Sequence, residues 1–127
     1  MKRVLLTTTL ALTALAGVGC GPQYQAITFT LRNTPPIPVE VDDHLIEIPV
    51  GIAASIHAEL ESGTNIEYVD EPLELISQDR DVLLVEPSGG ERNFVLVGVA
   101  VGETCLAVEV DHAEEDCISV RVIAPPQ

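Results

Sequence analysis

The sequence predicts an all-β protein, a sandwich of eight or nine short antiparallel strands. Three observations carry that reading. Apolar residues recur with a period of two along most of the chain, the spacing that places every second side chain on one face of a strand. Clusters of Gly, Pro, Asn, Asp and Ser interrupt those runs at short intervals, which is turn chemistry. No stretch keeps up the 3.6-residue apolar spacing of an amphipathic helix.

Taken in order, "AITFTLR" sets Ile27, Phe29 and Leu31 against Thr28, Thr30 and Arg32, a half-buried strand. "NTPPIP" follows, and its three prolines between Thr34 and Pro38 withhold donors from any central ladder, so it reads as an extended connector or sheet edge. "HLIEIPV" puts Ile46, Ile48 and Val50 on one face, with Gly51 as a break or bulge. In "IAASIHAEL", Ile52, Ala54, Ile56, Ala58 and Leu60 alternate with Ala53, Ser55, His57 and Glu59; the alternation and the β-branched isoleucines favour a strand over an alanine helix. "ESGTN" is a turn. The remaining runs are "IEYV", "LELI", "VLLVE", "FVLVGVAV", "TCLAVEV" and "CISVRVI", separated by "DEP", "SQDRD", "PSGGERN", "GE" and an acidic loop. Gly98 and Gly102 bracket "VAV", where one strand must end and the next begin, and glycine permits backbone angles there that Val or Thr would resist.

The stretches "LIEIPVG", "ISQDRDVLLVE", "FVLVGVAVGETCLAVEV" and "CISVRVI", over residues 44–123, resemble the bacterial immunoglobulin-like group 2 domain. The glycine corner "G-V-x-x-G-x-T", here Gly98, Val99, Gly102 and Thr104, carries most of the likeness; the tryptophan usual in that family's middle strand is missing, since the chain has none. The resemblance implies an immunoglobulin-like sandwich over residues 26–127, used as an adhesive or spacer module of surface and envelope proteins, with no shared catalytic residues.

The chain opens "MKRVLLTTTLALTALAGVGC", a short basic start followed by an uncharged apolar run from Val4 to Val18. That is an export signal, and it is shorter than the roughly 20 residues a helix needs to cross a bilayer. Its ending, "AGVGC", resembles the bacterial lipoprotein box, although Gly17 stands where that box prefers Leu. The resemblance implies a signal peptide at 1–19, lipidation of Cys20 by a thioether-linked diacylglycerol and an N-acyl chain, and a tether at 20–25. Gly21 lacks the aspartate that retains many lipoproteins at an inner membrane, so the implied address is an outer membrane. The rival reading is cleavage after Ala16 in "ALA", which would release a soluble secreted protein.

Cleavage before Cys20 leaves 108 of the 127 residues, enough for one domain. It also removes Lys2 and Arg3, leaving four arginines, no lysine and 20 acidic residues, a formal charge of −16. Such a chain is not a nucleic-acid partner, because that binding draws on basic residues that neutralise phosphates. Its body has no electrostatic attraction to anionic lipid. A repulsive, well-solvated surface follows directly.

With Cys20 assigned to lipid, Cys105 and Cys117 remain, in a chain exported to where disulfides persist. Alternation puts Leu106, Val108 and Val110 on the apolar face of one strand and Ile118, Val120 and Val122 on that of the next, so both cysteines project from the outer face of the closing hairpin. A tight hairpin centred near residue 111 would set them directly opposite each other; a looser one would need a bulge before the sulfurs could meet. A disulfide is the reading adopted. The metal alternative would combine Cys105, His112 and Cys117 with Asp111 or Asp116, but this spacing matches no usual zinc pattern.

Other chemistry is thin. Of His44, His57 and His112, the last two read as solvated, and no G-x-S-x-G marks Ser55, Ser62, Ser77, Ser88 or Ser119 as a nucleophile. Among the acidic pairs, Asp79 and Asp81 around Arg80 are the best candidates for a calcium site at strand ends, though no EF-hand loop occurs. "PSGG" at 87–90 reads as a turn, because neither Lys nor a helix follows it. The sequence therefore points to a non-enzymatic cell-envelope lipoprotein without a cofactor, a binding or structural module facing an envelope protein or polysaccharide. An envelope metal- or calcium-binding protein is the alternative, and a small exported hydrolase the third reading.

Overall fold

The computed structural model describes residues 21–126; the segment read as an export signal and Cys20 lie outside them. Nine strands occur among the described residues, and no helix: β1 Tyr24–Leu31, β2 Glu40–Val41, β3 Leu45–Pro49, β4 Ala53–Ser62, β5 Leu73–Ser77, β6 Leu83–Pro87, β7 Asn93–Gly98, β8 Gly102–Val110 and β9 Ala113–Ile123. They form two sheets, one of order β1-β4-β7-β6 and one of order β2-β3-β9-β8-β5. The predicted all-β immunoglobulin-like sandwich is what the chain adopts.

Alternation explains the core. Ile27, Ala54, Ile56, Ala58, Leu83, Phe94 and Leu96 of the four-stranded sheet are buried, as are Ile46, Ile48, Leu75, Leu106, Val108, Val110, Ile118, Val120 and Val122 of the five-stranded one. Among the described residues no polar or charged side chain is buried as a whole, so the inner layer is held by apolar area removed from water.

The sheet arrangement departs from the sequence reading in three places. First, β3 runs parallel to β9, pairing Leu45 with Ser119 through Pro49 with Ile123, so the five-stranded sheet is mixed. A parallel neighbour cannot come from a tight hairpin; here the whole intervening domain serves as the connection. Second, "IEYV" is not a strand, and Val69 is 69% exposed. The Thr64 hydroxyl oxygen accepts from the Ile66 N–H, and the Glu71 carboxylate accepts from the Val69 N–H. Side chains thus take backbone groups that a ladder would need. The two-residue β2 stands in its place as a further edge strand. Third, the stretch read as a tether is largely docked. β1 begins at Tyr24, the Gly63 N–H donates to the Gln23 carbonyl at 2.9 Å, and the Thr64 hydroxyl donates to the Gly21 carbonyl at 3.2 Å.

The glycine corner has a physical reason. The Gly51 N–H donates to the Gly98 carbonyl (2.8 Å) and the Gly98 N–H to the Ile52 carbonyl (3.2 Å), pulling the β3–β4 turn onto the end of β7. A Cβ on Gly98 would lie 2.5 Å from the Pro49 carbonyl oxygen. At Gly102 it would meet only the Val82 side chain, at 3.2 Å.

Tyr24 sits near the start of β9, whereas Ile123 at its end pairs with Pro49. The two ends of the domain therefore lie at opposite poles of the sandwich.

Candidate functional site

The closing hairpin turns on Asp111 and His112, whose φ values are 51° and 67°. Positive φ at both central residues is the twist-matched two-residue turn, and Asp and His tolerate it better than most side chains. Val110 pairs with Ala113 and Glu109 with Glu114, but Val108 pairs with Asp116, so Glu115 is an extra residue in β9. That bulge shifts the ladder beyond it, leaving Cys105 opposite Ser119 and Cys117 opposite Ala107. The cysteines are consequently diagonal neighbours, not the directly opposed pair of a turn centred on residue 111. Strand twist shortens this diagonal to a Cα–Cα distance of 5.5 Å, and the disulfide closes across it. Both cysteines lie outside the buried layer, as alternation requires; Ala107 beside them is only 3% exposed.

The disulfide consumes the thiolates that the metal reading needed. His112 stands at the turn tip, and among the described residues no three His, Cys, Asp or Glu side chains are grouped to hold a metal ion. Asp79 and Asp81 shape a turn: the Asp79 carboxylate accepts from the Asp81 N–H at 3.0 Å, while the Asp79 carbonyl accepts from the Ser77 hydroxyl and the Leu83 N–H.

Across the bulge, the Tyr24 hydroxyl donates to the Asp116 carboxylate at 2.7 Å, tying the first strand to the hairpin. Burial, then that hydrogen bond and the nearby charges of Asp116 and Glu115, hold the Tyr24 phenol well above its ordinary value of 10. A phenol whose folded pKa is raised contributes stability that is complete below the unfolded pKa and lost as pH rises past it. The Tyr24→Phe variant should therefore lose about 1 kcal/mol at neutral pH and show a shallower loss of stability above pH 10. Urea titrations of both proteins from pH 7 to 11 would check this; parallel profiles would refute it.

The outer face of the four-stranded sheet holds a shallow groove of about 330 Å³ lined by Arg32, Ser55, His57, Ser88, Gly89 and Asn93. Two serines and a histidine thus meet in one depression, a juxtaposition that sequence distance conceals. It is not a nucleophile and base in contact. The His57 Nδ1 bonds the Asn93 Oδ1 at 2.8 Å, its Nε2 lies 3.6 Å from the Glu59 carboxylate, and no hydrogen bond joins it to either serine. The Asn93 amide in turn donates to the Gly89 carbonyl at 3.0 Å, fixing the β6–β7 turn against the ring. Around that turn a second cleft, about 380 Å³, opens beside Arg92, whose φ is 61° and whose Nη2 is buried with no hydrogen-bond partner among the described residues. Asp70, Glu71, Glu74 and Glu91 line that cleft with it.

No family model matches the chain, and no curated protein matches its sequence. Among solved structures the chain is similar to domains 4 and 5 of the S-layer protein SbsC, at 19% identity and a TM-score of 0.53, over 73% of this chain and 55% of that one. It is likewise similar to the S-layer protein rSbsC(31-844), at 19% identity and a TM-score of 0.55, over 76% of this chain and 14% of that one. The chain thus spans about half of the first structure and a small part of the second. At this identity the likeness is one of fold alone.

Proposed function

We propose that the chain is a non-enzymatic cell-envelope lipoprotein, an immunoglobulin-like binding or structural module of the group 2 kind. It is held to a membrane through Cys20 and presents an acidic surface to an envelope protein or polysaccharide. One observation carries the reading: Cys105 and Cys117 satisfy each other, so the third and last cysteine of the chain is the one that closes "AGVGC" behind an export signal. Acyl chains on it would supply the anchor, since two or more are needed for stable membrane residence. The fold likeness to S-layer domains supports an envelope setting, and the pairing of the His57 ring with Asn93 supports a module without hydrolase chemistry. Gly21 after the lipidated cysteine favours the outer membrane.

Only Gly21, Pro22 and Gln23 would separate the anchor from β1. The hairpin pole would then face the bilayer, and the pole with Ile123 would face away. Radiolabelled palmitate supplied to cells making the wild type or Cys20→Ser tests the reading. Label should enter the wild type alone, and the variant should leave the membrane fraction. Equal labelling of the two, or a wild-type mature chain beginning at Gly17, would end it.

A further inference from the structure

We infer that the groove formed by Arg32, Ser55, His57, Ser88 and Asn93 on the four-stranded sheet is a binding site for an oxyanion, the carboxylate of a sugar acid or a phosphate group. The argument begins with charge. Acidic residues outnumber basic ones 20 to six in the chain, yet none of the residues lining this groove is acidic. Each of the four arginines after the leader has a distinct fate. Arg80 faces Glu86 at 3.8 Å, and Arg121 bridges Glu47 and Glu103 at 3.6 and 3.2 Å. Arg92 lies in a cleft with four carboxylates. Arg32 alone lines a depression free of them, is exposed, and has no ion-pair partner among the described residues.

The local geometry adds neutral donors to that cation. Ser55 and Ser88 bring hydroxyls from β4 and the β6–β7 turn, and hydroxyls rotate to suit an incoming acceptor. The ring of His57 is held by Asn93, and its Nε2 lies 3.6 Å from the Glu59 carboxylate. Arg32, the residue after β1, is held opposite Ser55 because its N–H donates to the Ser55 carbonyl at 2.7 Å, and both line the groove. A guanidinium pairs bidentately with a carboxylate or phosphate. The chain's overall negative charge opposes an anion only at long range, and salt at physiological strength screens it beyond roughly 8 Å. The contacts within the groove are shorter than that. The site stands apart from lipidation, so it holds or fails independently of Cys20.

The test is a titration of the full exported chain, as wild type and as Cys20→Ser, with inorganic phosphate, galacturonate and neutral galactose at constant ionic strength. The Gly89 amide and the His57 ring are followed by NMR. Saturable shifts with phosphate, galacturonate or both are expected, with none from galactose; whichever anion binds more tightly identifies the source of the oxyanion. Arg32→Gln should weaken binding at least about tenfold, the loss of one charge-assisted hydrogen bond. Arg80→Gln, on a residue already paired with Glu86, should leave it unchanged. Ser88→Ala should weaken it severalfold and so reports on the same groove by a second route. Equal response to galactose, an Arg32→Gln affinity equal to wild type, or no saturation up to roughly 100 mM anion would each overturn the assignment. Because Cys20→Ser is measured alongside, a failed anion site and a failed anchor give different results.

Discussion

Replacing Cys105 and Cys117 together by alanine should lower the stability of the domain by about 3 kcal/mol, the chain-entropy value for a loop of this size. The bridge spans 12 positions of sequence, so the unfolded chain without it gains the freedom of that loop while the folded ladder keeps its pairing. For a domain near 100 residues this corresponds to a fall in Tm on the order of 10–20 °C. The double variant avoids the free thiol that either single change would leave. Thermal unfolding of wild type, reduced wild type and double variant provides the check: the last two should melt together, well below the first. Coincidence of oxidised and reduced wild type would show that the bridge carries no stability. The same samples address the metal alternative, because zinc added to the reduced protein should not restore the lost Tm. Recovery with zinc would mean that Cys105, Cys117 and His112 can converge after all. A domain of this size depends on such a margin, since a few kcal/mol separates a folded population from one open to proteolysis.

Gly98→Ala should cost about 3 kcal/mol, whereas Gly102→Ala should cost under about 1 kcal/mol. The difference lies in what a new methyl would meet. At Gly98 it is driven into the Pro49 carbonyl oxygen at 2.5 Å and approaches a Val122 methyl at 3.2 Å. A backbone carbonyl tied into β3 cannot step aside without stretching the bonds by which Gly51 and Ile52 hold this corner. At Gly102 the obstacle is the Val82 side chain, which can move a few tenths of an ångström. Neither glycine has a positive φ, so the contrast reads close approach alone and not backbone preference. Paired urea denaturation of the two variants measures it. Equal losses would show that the corner does not need the missing Cβ. Each glycine of the corner "G-V-x-x-G-x-T" thus has its own physical weight in this chain.

Several elements were legible from local pattern. In β4, Ala54, Ile56 and Ala58 are buried and His57 is not, as alternation demanded; β9 does the same with Ile118, Val120 and Val122. The outward placement of both cysteines followed from the same parity. "IEYV" misled because its β-rich composition says nothing about Thr64 and Glu71, whose side chains capture the neighbouring backbone. Glu115 as a bulge was equally silent, since an extra residue looks like any other until a partner strand counts against it. The groove of Arg32, Ser55, His57 and Ser88 was the largest omission. Its members come from the residue after β1, from β4 and from the β6–β7 turn, and the only signal available was that "PSGG" supplied a turn without acidic residues.

By itself, then, the sequence determined that the described residues form strands and no helix, which side of each long strand is greasy, and that two late thiols share the outer surface. These follow from the two-residue pleat of a single strand, a property each segment carries alone. Tertiary structure decided that β3 lies parallel to β9, that the disulfide crosses a diagonal, and that Arg32 meets His57 in a groove free of acids. Those outcomes depend on the register between segments far apart in the chain, which is set by how two whole surfaces pack and is written in no single run of residues.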